Sequence, residues 1–203
     1  MRPVEDVLRE GILAEQFGGE IKPHGEHAMG FVSFLDDPQR EFTGHVVDIG
    51  SGAGLPALVL ADAFPLTSWT LVERRSGRCD LLRRAVSRLG LHDRVEVRSE
   101  DVTLAAWSEL RGAADWVTAR SFGPPADTAE CAVGFLREGG QLLTSEPRSS
   151  DHAQRWPTRP LHSIGLHLLE DWSVPAGRYL RFSRGTEDIS SLPRRGSRKK
   201  LLF

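Results

Sequence analysis

The sequence predicts an α/β fold: a mostly parallel, twisted sheet with helices on both faces and an antiparallel hairpin at its C-terminal end. Three observations predict it. Strand-like and helix-like apolar patterns alternate from His45 to Ser145; a glycine turn, Gly50-Ser51-Gly52-Ala53-Gly54, links the first strand to the next helix; and two strand-like runs flank Pro175-Ala176-Gly177. Such alternation implies crossover connections and a sheet covered on both faces, while a turn signal between two strands reads as a hairpin.

From Val4 to Phe17 the apolar positions Val4, Val7, Leu8, Ile12, Leu13 and Phe17 recur at helical spacing, and Gly18-Gly19 supplies a stop. His27 to Leu35 is a second, shorter apolar stretch with helical character, set off by the polar segment Asp36 to Thr43. His45 to Ile49 then reads as a buried strand and Leu55 to Phe64 as the helix after the glycine turn. Thr67 to Val72 (strand), Arg78 to Leu89 (helix) and Val95 to Val97 (strand) follow, then Trp116 to Ala119 (strand), Ala126 to Leu136 (helix) and Gln141 to Ser145 (strand), the last two joined by Gly139-Gly140. Ile164 to Trp172 and Tyr179 to Phe182 form the hairpin. The expected organisation is a helical extension over 1–43, a ligand-binding domain over 44–185 and a basic tail over 186–203.

Length and composition agree with one core: 203 residues, 39% hydrophobic and 27% charged. The net charge of -2 excludes no partner, because Arg194, Arg195, Arg198, Lys199 and Lys200 concentrate positive charge near the C-terminus and give a candidate RNA-binding segment. The two cysteines, Cys79 and Cys131, are too few and too far apart for a disulfide framework or a metal site. His24 and His27 lack the further ligands a zinc site needs, and His152 stands alone. No run reaches the roughly 18 apolar residues of a membrane span, and Met1 to Gly19 carries charges throughout instead of an apolar signal centre. A reduced, cytoplasmic protein, monomeric and without a metal, is the expectation.

The chemistry is concentrated at three strand ends. Asp48-Ile49-Gly50-Ser51-Gly52-Ala53-Gly54 follows a strand and opens a helix, so Gly50, Gly52 and Gly54 let backbone approach a ligand that side chains would exclude. Asp48 is placed to accept from a ligand ammonium or from turn amides, and Leu55 to pack beneath the ligand. Glu73 ends the apolar run Trp69-Thr70-Leu71-Val72 about two dozen residues beyond the turn, near the ~20 expected of an acid that takes ribose hydroxyls; a solvated strand end beside Arg74 and Arg75 is the plainer alternative. Ser99-Glu100-Asp101, after the third strand, sits where a polar group reads an adenine edge. A dinucleotide dehydrogenase would also use Gly52-Ala53-Gly54-Leu55-Pro56-Ala57, but the chain offers a terminal hairpin where that enzyme has a second nucleotide half. The set points to an S-adenosylmethionine-dependent enzyme on the Rossmann-like class I methyltransferase fold.

Val46 to Phe122 resembles the bacterial guanine-N7 methyltransferases of 16S ribosomal RNA, the glucose-inhibited division protein B family. The resemblance rests on Val47-Asp48-Ile49-Gly50-Ser51-Gly52-Ala53-Gly54-Leu55-Pro56, on Leu71-Val72-Glu73 with Arg78 and Leu81-Leu82, on Ser99-Glu100-Asp101, on Ala119-Arg120-Ser121-Phe122 and on the closing Pro193-Arg194 and Lys199-Lys200. It implies donor binding by Gly50, Leu55, Ser99, Glu100 and Arg120, and ribosomal RNA or the small subunit as partner. The N-terminus departs from the family: of its usual Asn-Leu-Thr and His-Asp-Ser-Leu segments only His27 and the Phe31 to Leu35 stretch are recognisable. Ala57 also replaces a family glycine, and Gly77 a family lysine.

Guanine N7 carries a lone pair and no proton, so its methylation needs alignment and exclusion of water but no general base. Arg120, at a strand's carboxyl end, is therefore the expected positioning residue in the catalytic cleft, for a donor carboxylate or a substrate phosphate. Phe122 is a candidate stacking residue or plain core. Arg74, Arg75, Arg83, Arg84 and Arg88 are either a phosphate-contacting face or solvated. Two readings stay open: an RNA guanine methyltransferase, or a small-molecule methyltransferase or degenerate donor-binding module without RNA activity.

Overall fold

A computed structural model describes residues 3–13, 20–194 and 202–203. The expected continuation of the first helix to Phe17, its Gly18-Gly19 stop, and Arg195, Arg198, Lys199 and Lys200 lie outside the described residues.

Helix α1 spans Pro3–Leu13, α2 Ile21–Gly30 and α3 Pro38–Glu41. The expected helical stretch from His27 is thus the end of a helix that starts six residues earlier. Lys22, His24 and Glu26 hide its first turns from an apolar pattern, and only Ala28 and Gly30 of α2 are fully buried. Gly30 is required by contact: a Cβ there would strike the Tyr179 hydroxyl.

Next come β1 (Gly44–Ile49), α4 (Ala57–Ala63), β2 (Thr67–Glu73), α5 (Ser76–Arg88), β3 (Val95–Ser99), α6 (Val102–Ala105), β4 (Ala114–Ala119), α7 (Pro125–Phe135) and β5 (Leu136–Glu146). Two short helices, α8 (His152–Arg155) and α9 (Thr158–Ser163), lead to the hairpin β6 (Leu166–Val174) and β7 (Gly177–Arg184). The seven strands lie in the order β3-β2-β1-β4-β5-β7-β6. β1 to β5 are parallel, and β7 runs antiparallel to both β5 and β6. Strand order reverses between β1 and β4, which makes their carboxyl ends the crevice where open α/β sheets take ligands.

Each sheet face has its own core. One packs α4, α5 and the N-terminal residues Val7, Phe31, Val32 and Phe42 on Trp69, Leu71, Leu143 and Tyr179. Phe42 anchors it, with its ring centroid 5.4 Å from Phe64 and 5.2 Å from Trp116. The other packs α6, α7 and α9 on Val47, Val117, Leu142 and Phe182. Ile189 and Leu192 belong to this second core, with Leu202 and Phe203 packed against it. The stretch expected as a tail therefore contributes buried apolar surface.

Candidate active site

The glycine turn is built from backbone that accepts no side chain at two positions. Gly50 has φ +69° and Gly54 φ +92°, both in the left-handed region. A Cβ on Gly50 would sit 2.6 Å from Phe122 Cδ2, and one on Gly54 would strike Leu58. Glu73 braces the turn from the next strand: its Oε2 accepts from the Gly52 amide at 3.1 Å and its Oε1 from the Arg75 amide at 2.9 Å, with Arg78 Nη1 3.8 Å from Oε2. At 5% exposure Glu73 is a buried acid, which removes the solvated-strand-end alternative.

A cavity of about 410 Å³ opens beside the turn. Of the sequence-predicted residues it takes Gly50 and Glu73 into its wall, together with Phe122. Ser99 and Glu100 lie outside it; the Glu100 amide donates to the Glu73 carbonyl and its carboxylate reaches Arg98 at 3.5 Å. Asp101, Val102 and Thr103 line the wall in their place. Asp101 is fixed there because its carboxylate caps α6, accepting from the Thr103 amide at 2.9 Å. Leu55 packs away from the cavity, with Val4, Leu8, Ala28 and Val59 under the N-terminal helices. Sequence reasoning passed over Thr103, Asp127 and Cys131, which also line the cavity; an Asp three residues after a Pro-Pro helix start was the available signal for Asp127.

Two strand ends next to the turn hold buried polar atoms that the protein leaves unmatched. Asp48 is 1% exposed; its Oδ1 accepts from Thr118 at 2.6 Å, and its Oδ2 has no partner. Burial pushes its carboxyl up to about 7, against the pull of the Thr118 and Ser51 hydroxyls and of Arg120. Arg120 leaves β4, its Nη2 shares a 3.1 Å hydrogen bond with His24 Nδ1 from α2, and its Nη1 is buried without a partner. Burial holds the guanidinium below its ordinary value. His27 lies nearby, lowered to about 4 by burial and then by the charge of Arg120. Ser121, next in the chain, has φ +51°, a strained conformation for a side-chain-bearing residue and typical of functional turns.

The structure treats the basic residues unequally. Arg194 is held by the buried Glu130 carboxylate, Nη2 to Oε2 at 2.7 Å and backbone amide to Oε1 at 2.6 Å. It is thus an anchor, a correction to its expected place in a free basic end, because the buried acid claims its guanidinium. Arg83 pairs with Asp80 at 3.1 Å and Arg88 with Glu10 at 2.5 Å, whereas Arg74, Arg75 and Arg78 line the cavity.

The fold and the sequence both have relatives. The family model described as "GidB: rRNA small subunit methyltransferase G" matches residues 26–155. A protein named Ribosomal RNA small subunit methyltransferase G from Synechococcus sp. (strain CC9311) is 32% identical over 157 residues, covering 76% of this chain and 62% of that protein. The chain therefore spans less than two thirds of that relative. One of the same name from Clavibacter sepedonicus is 31% identical over 180 residues, 80% of each chain. The solved RNA methyltransferase from Salinibacter ruber, in complex with S-adenosyl-L-homocysteine, superposes with a TM-score of 0.57 at 16% identity, over 82% of this chain and 94% of that one. The architecture is that of the Rossmann-like class I methyltransferases.

Proposed function

Because this chain belongs to the rRNA small subunit methyltransferase G family, we propose that it transfers the methyl group of S-adenosylmethionine to N7 of a guanine in 16S ribosomal RNA. The observation that carries the reading is the pair of unmatched buried atoms, an acceptor on Asp48 and a donor on Arg120, on adjacent strands. An amino-acid end presents one ammonium and one carboxylate, the complement of that pair. The residues present therefore fit the donor.

In this reading Arg120 takes the carboxylate, Asp48 the ammonium, and Glu73 turns from the turn amides to the ribose hydroxyls. Asp101 and Thr103 face the base edge, a role expected of Ser99-Glu100-Asp101 from the sequence. The bare backbones of Gly50 and Gly52 leave room for close approach, with Gly54 seating the turn on α4. When bound, S-adenosylmethionine supplies a sulfonium methyl that a base nitrogen can take without losing a proton. Accordingly the residues around Arg120 need to orient and to exclude water, and none is assigned as a general base. His27, neutral at physiological pH, and His24 bring α2 over this end of the sheet, where the N-terminal residues complete the cleft.

Residues 44–185 would carry the donor site, with 1–43 and 186–203 flanking it. The enzyme would act in the cytoplasm on ribosomal RNA or the small subunit, as a monomer, with Arg195, Arg198, Lys199 and Lys200 as phosphate contacts. Among the described residues no helix is long and apolar enough to cross a membrane.

The test is calorimetric titration of wild type and Arg120→Leu with S-adenosylmethionine, followed by transfer to ribosomal RNA with nucleoside analysis for 7-methylguanosine. Binding lost in the variant and 7-methylguanosine formed by wild type are expected. Binding without methylated RNA would favour the small-molecule or degenerate-module alternative, and no binding by folded wild type would refute donor use.

A further inference from the structure

A second cavity, of about 820 Å³, opens at the amino ends of β4 and β5, lined by Arg111, Arg137 and Arg184. The donor site lies at the other end of the same strands. With six residues in β4, the two are separated by roughly 17 Å of strand.

Arg184, the last residue of β7, has a side chain only 9% exposed. Its Nε is buried without a partner, and Nη1 donates to the Gly185 carbonyl at 3.2 Å. Among the described residues its one acid within ion-pair reach is Glu138, 3.9 Å away and 66% exposed. Arg111 stacks over Trp107 and donates to the carbonyls of Leu192 at 2.7 Å and Ile189 at 2.6 Å. Burial, and next the charge of Arg184, hold the Arg111 guanidinium below its ordinary value, with Asp188 opposing.

The other charged side chains around the cavity are Arg137, Glu187 and Asp188. Arg137 pairs with Asp115 at 2.8 Å. Glu187 Oε1 meets His167 Nε2 at 2.9 Å, while its Oε2 is buried without a hydrogen-bond partner. Asp188 accepts from the Ser190 amide at 2.8 Å and hydroxyl at 3.1 Å.

A buried guanidinium with an idle N–H, beside a second cation, has no acid among the described residues within hydrogen-bond distance, although Glu187 and Asp188 also line the cavity. A carboxylate on the chain supplies this need poorly, since Glu138 reaches in from solvent. A tetrahedral oxyanion matches the guanidinium fork and bridges two cations. We propose that this cavity binds a phosphate group through Arg184, with Arg111 adding positive charge and Thr186 a hydroxyl on the wall. Free phosphate and the phosphodiester of an RNA strand share this chemistry. The assignment is independent of methyl-donor use.

The test follows the Arg184 Nε–H resonance by ¹⁵N NMR while inorganic phosphate, or a short RNA without terminal phosphate, is added at millimolar concentrations. A saturable shift with inorganic phosphate assigns a small-anion site, and a shift with RNA alone assigns a strand contact. Arg184→Met is expected to weaken binding about tenfold. Since that variant removes a buried residue, Glu138→Gln provides a second readout at an exposed position: removing the competing carboxylate should tighten binding about threefold. No shift with either probe, or an affinity unchanged in Glu138→Gln, overturns the proposal.

Discussion

Replacing Asp48 by Asn should make the protein more stable and a poorer binder of S-adenosylmethionine. Asp48 Oδ1 keeps its Thr118 bond in either residue, so the substitution changes mainly the charge that the protein must hold at 1% exposure. Burial raises the carboxyl from 3.8 to about 7. With the folded value above the unfolded one, the folded state holds the proton more tightly, and the stability gained is complete below about pH 4. It is lost as pH rises to about 7, then stays level. Between pH 5 and pH 8 the wild type crosses about two pH units of this loss, at about 1.4 kcal/mol each, so the Asn variant should gain about 3 kcal/mol on it over that interval. Urea unfolding of both proteins at the two pH values measures the difference, and the comparison cancels every other titrating group. Calorimetry at pH 8 should show weakened donor binding, because a neutral amide attracts an ammonium less strongly than a carboxylate does. A difference that does not change with pH, or one that favours wild type more strongly at pH 8, would refute the reasoning.

Gly52→Arg should fold, since a Cβ there meets nothing closer than Arg78 Nη1 at 3.7 Å. It should cost about 1–2 kcal/mol for a side chain at φ +56° and abolish donor binding in calorimetry by filling the approach to the turn. His27, lowered to about 4, should show its imidazole carbon shifts moving near that pH in NMR. Its share of stability is present above the ordinary imidazole value and lost as pH falls toward 4, so His27→Gln should flatten the acid limb of the melting curve. Arg194→Met should cost about 3 kcal/mol in urea unfolding, because Glu130 is 1% exposed and loses the guanidinium it accepts from.

The parallel half of the fold was legible because its signals are local. Val46, Val47 and Ile49 make a short apolar run that ends on glycines, and Leu81, Leu82, Ala85 and Val86 mark the buried side of α5. The strand-end acids were legible for the same reason, since Asp48 and Glu73 each lie at the carboxyl end of an apolar strand. What the sequence hid depends on contacts distant in the chain. Leu55 faces α1 and α2 instead of the cavity because the turn presents its apolar side to Val4, Leu8 and Ala28. Arg194 looked like part of a free cationic run, but Glu130, 64 residues earlier, claims it. The beginning of α2 was invisible because its buried positions are Ala28 and Gly30, small residues, the second of them kept bare by Tyr179.

That tyrosine also sets an order of events during synthesis. Its hydroxyl donates to the His27 carbonyl at 2.8 Å across 152 residues of chain, and its ring packs against Phe31 at 5.1 Å between centroids. At ~5–20 residues per second, a ribosome needs roughly 10–30 s to produce the stretch between them. Over that interval the segment carrying His24 and His27 has α1 and α4 to pack on, through Ala28 against Val4, Leu8, Leu55 and Val59, and lacks the Tyr179 contact. The His24–Arg120 contact is likewise assembled after the glycine turn, because Arg120 follows the turn in the chain, although α2 is translated before it. A nascent chain halted before β7 would carry the residues of the donor site and lack the Tyr179 contact that holds α2 through the His27 carbonyl and Phe31.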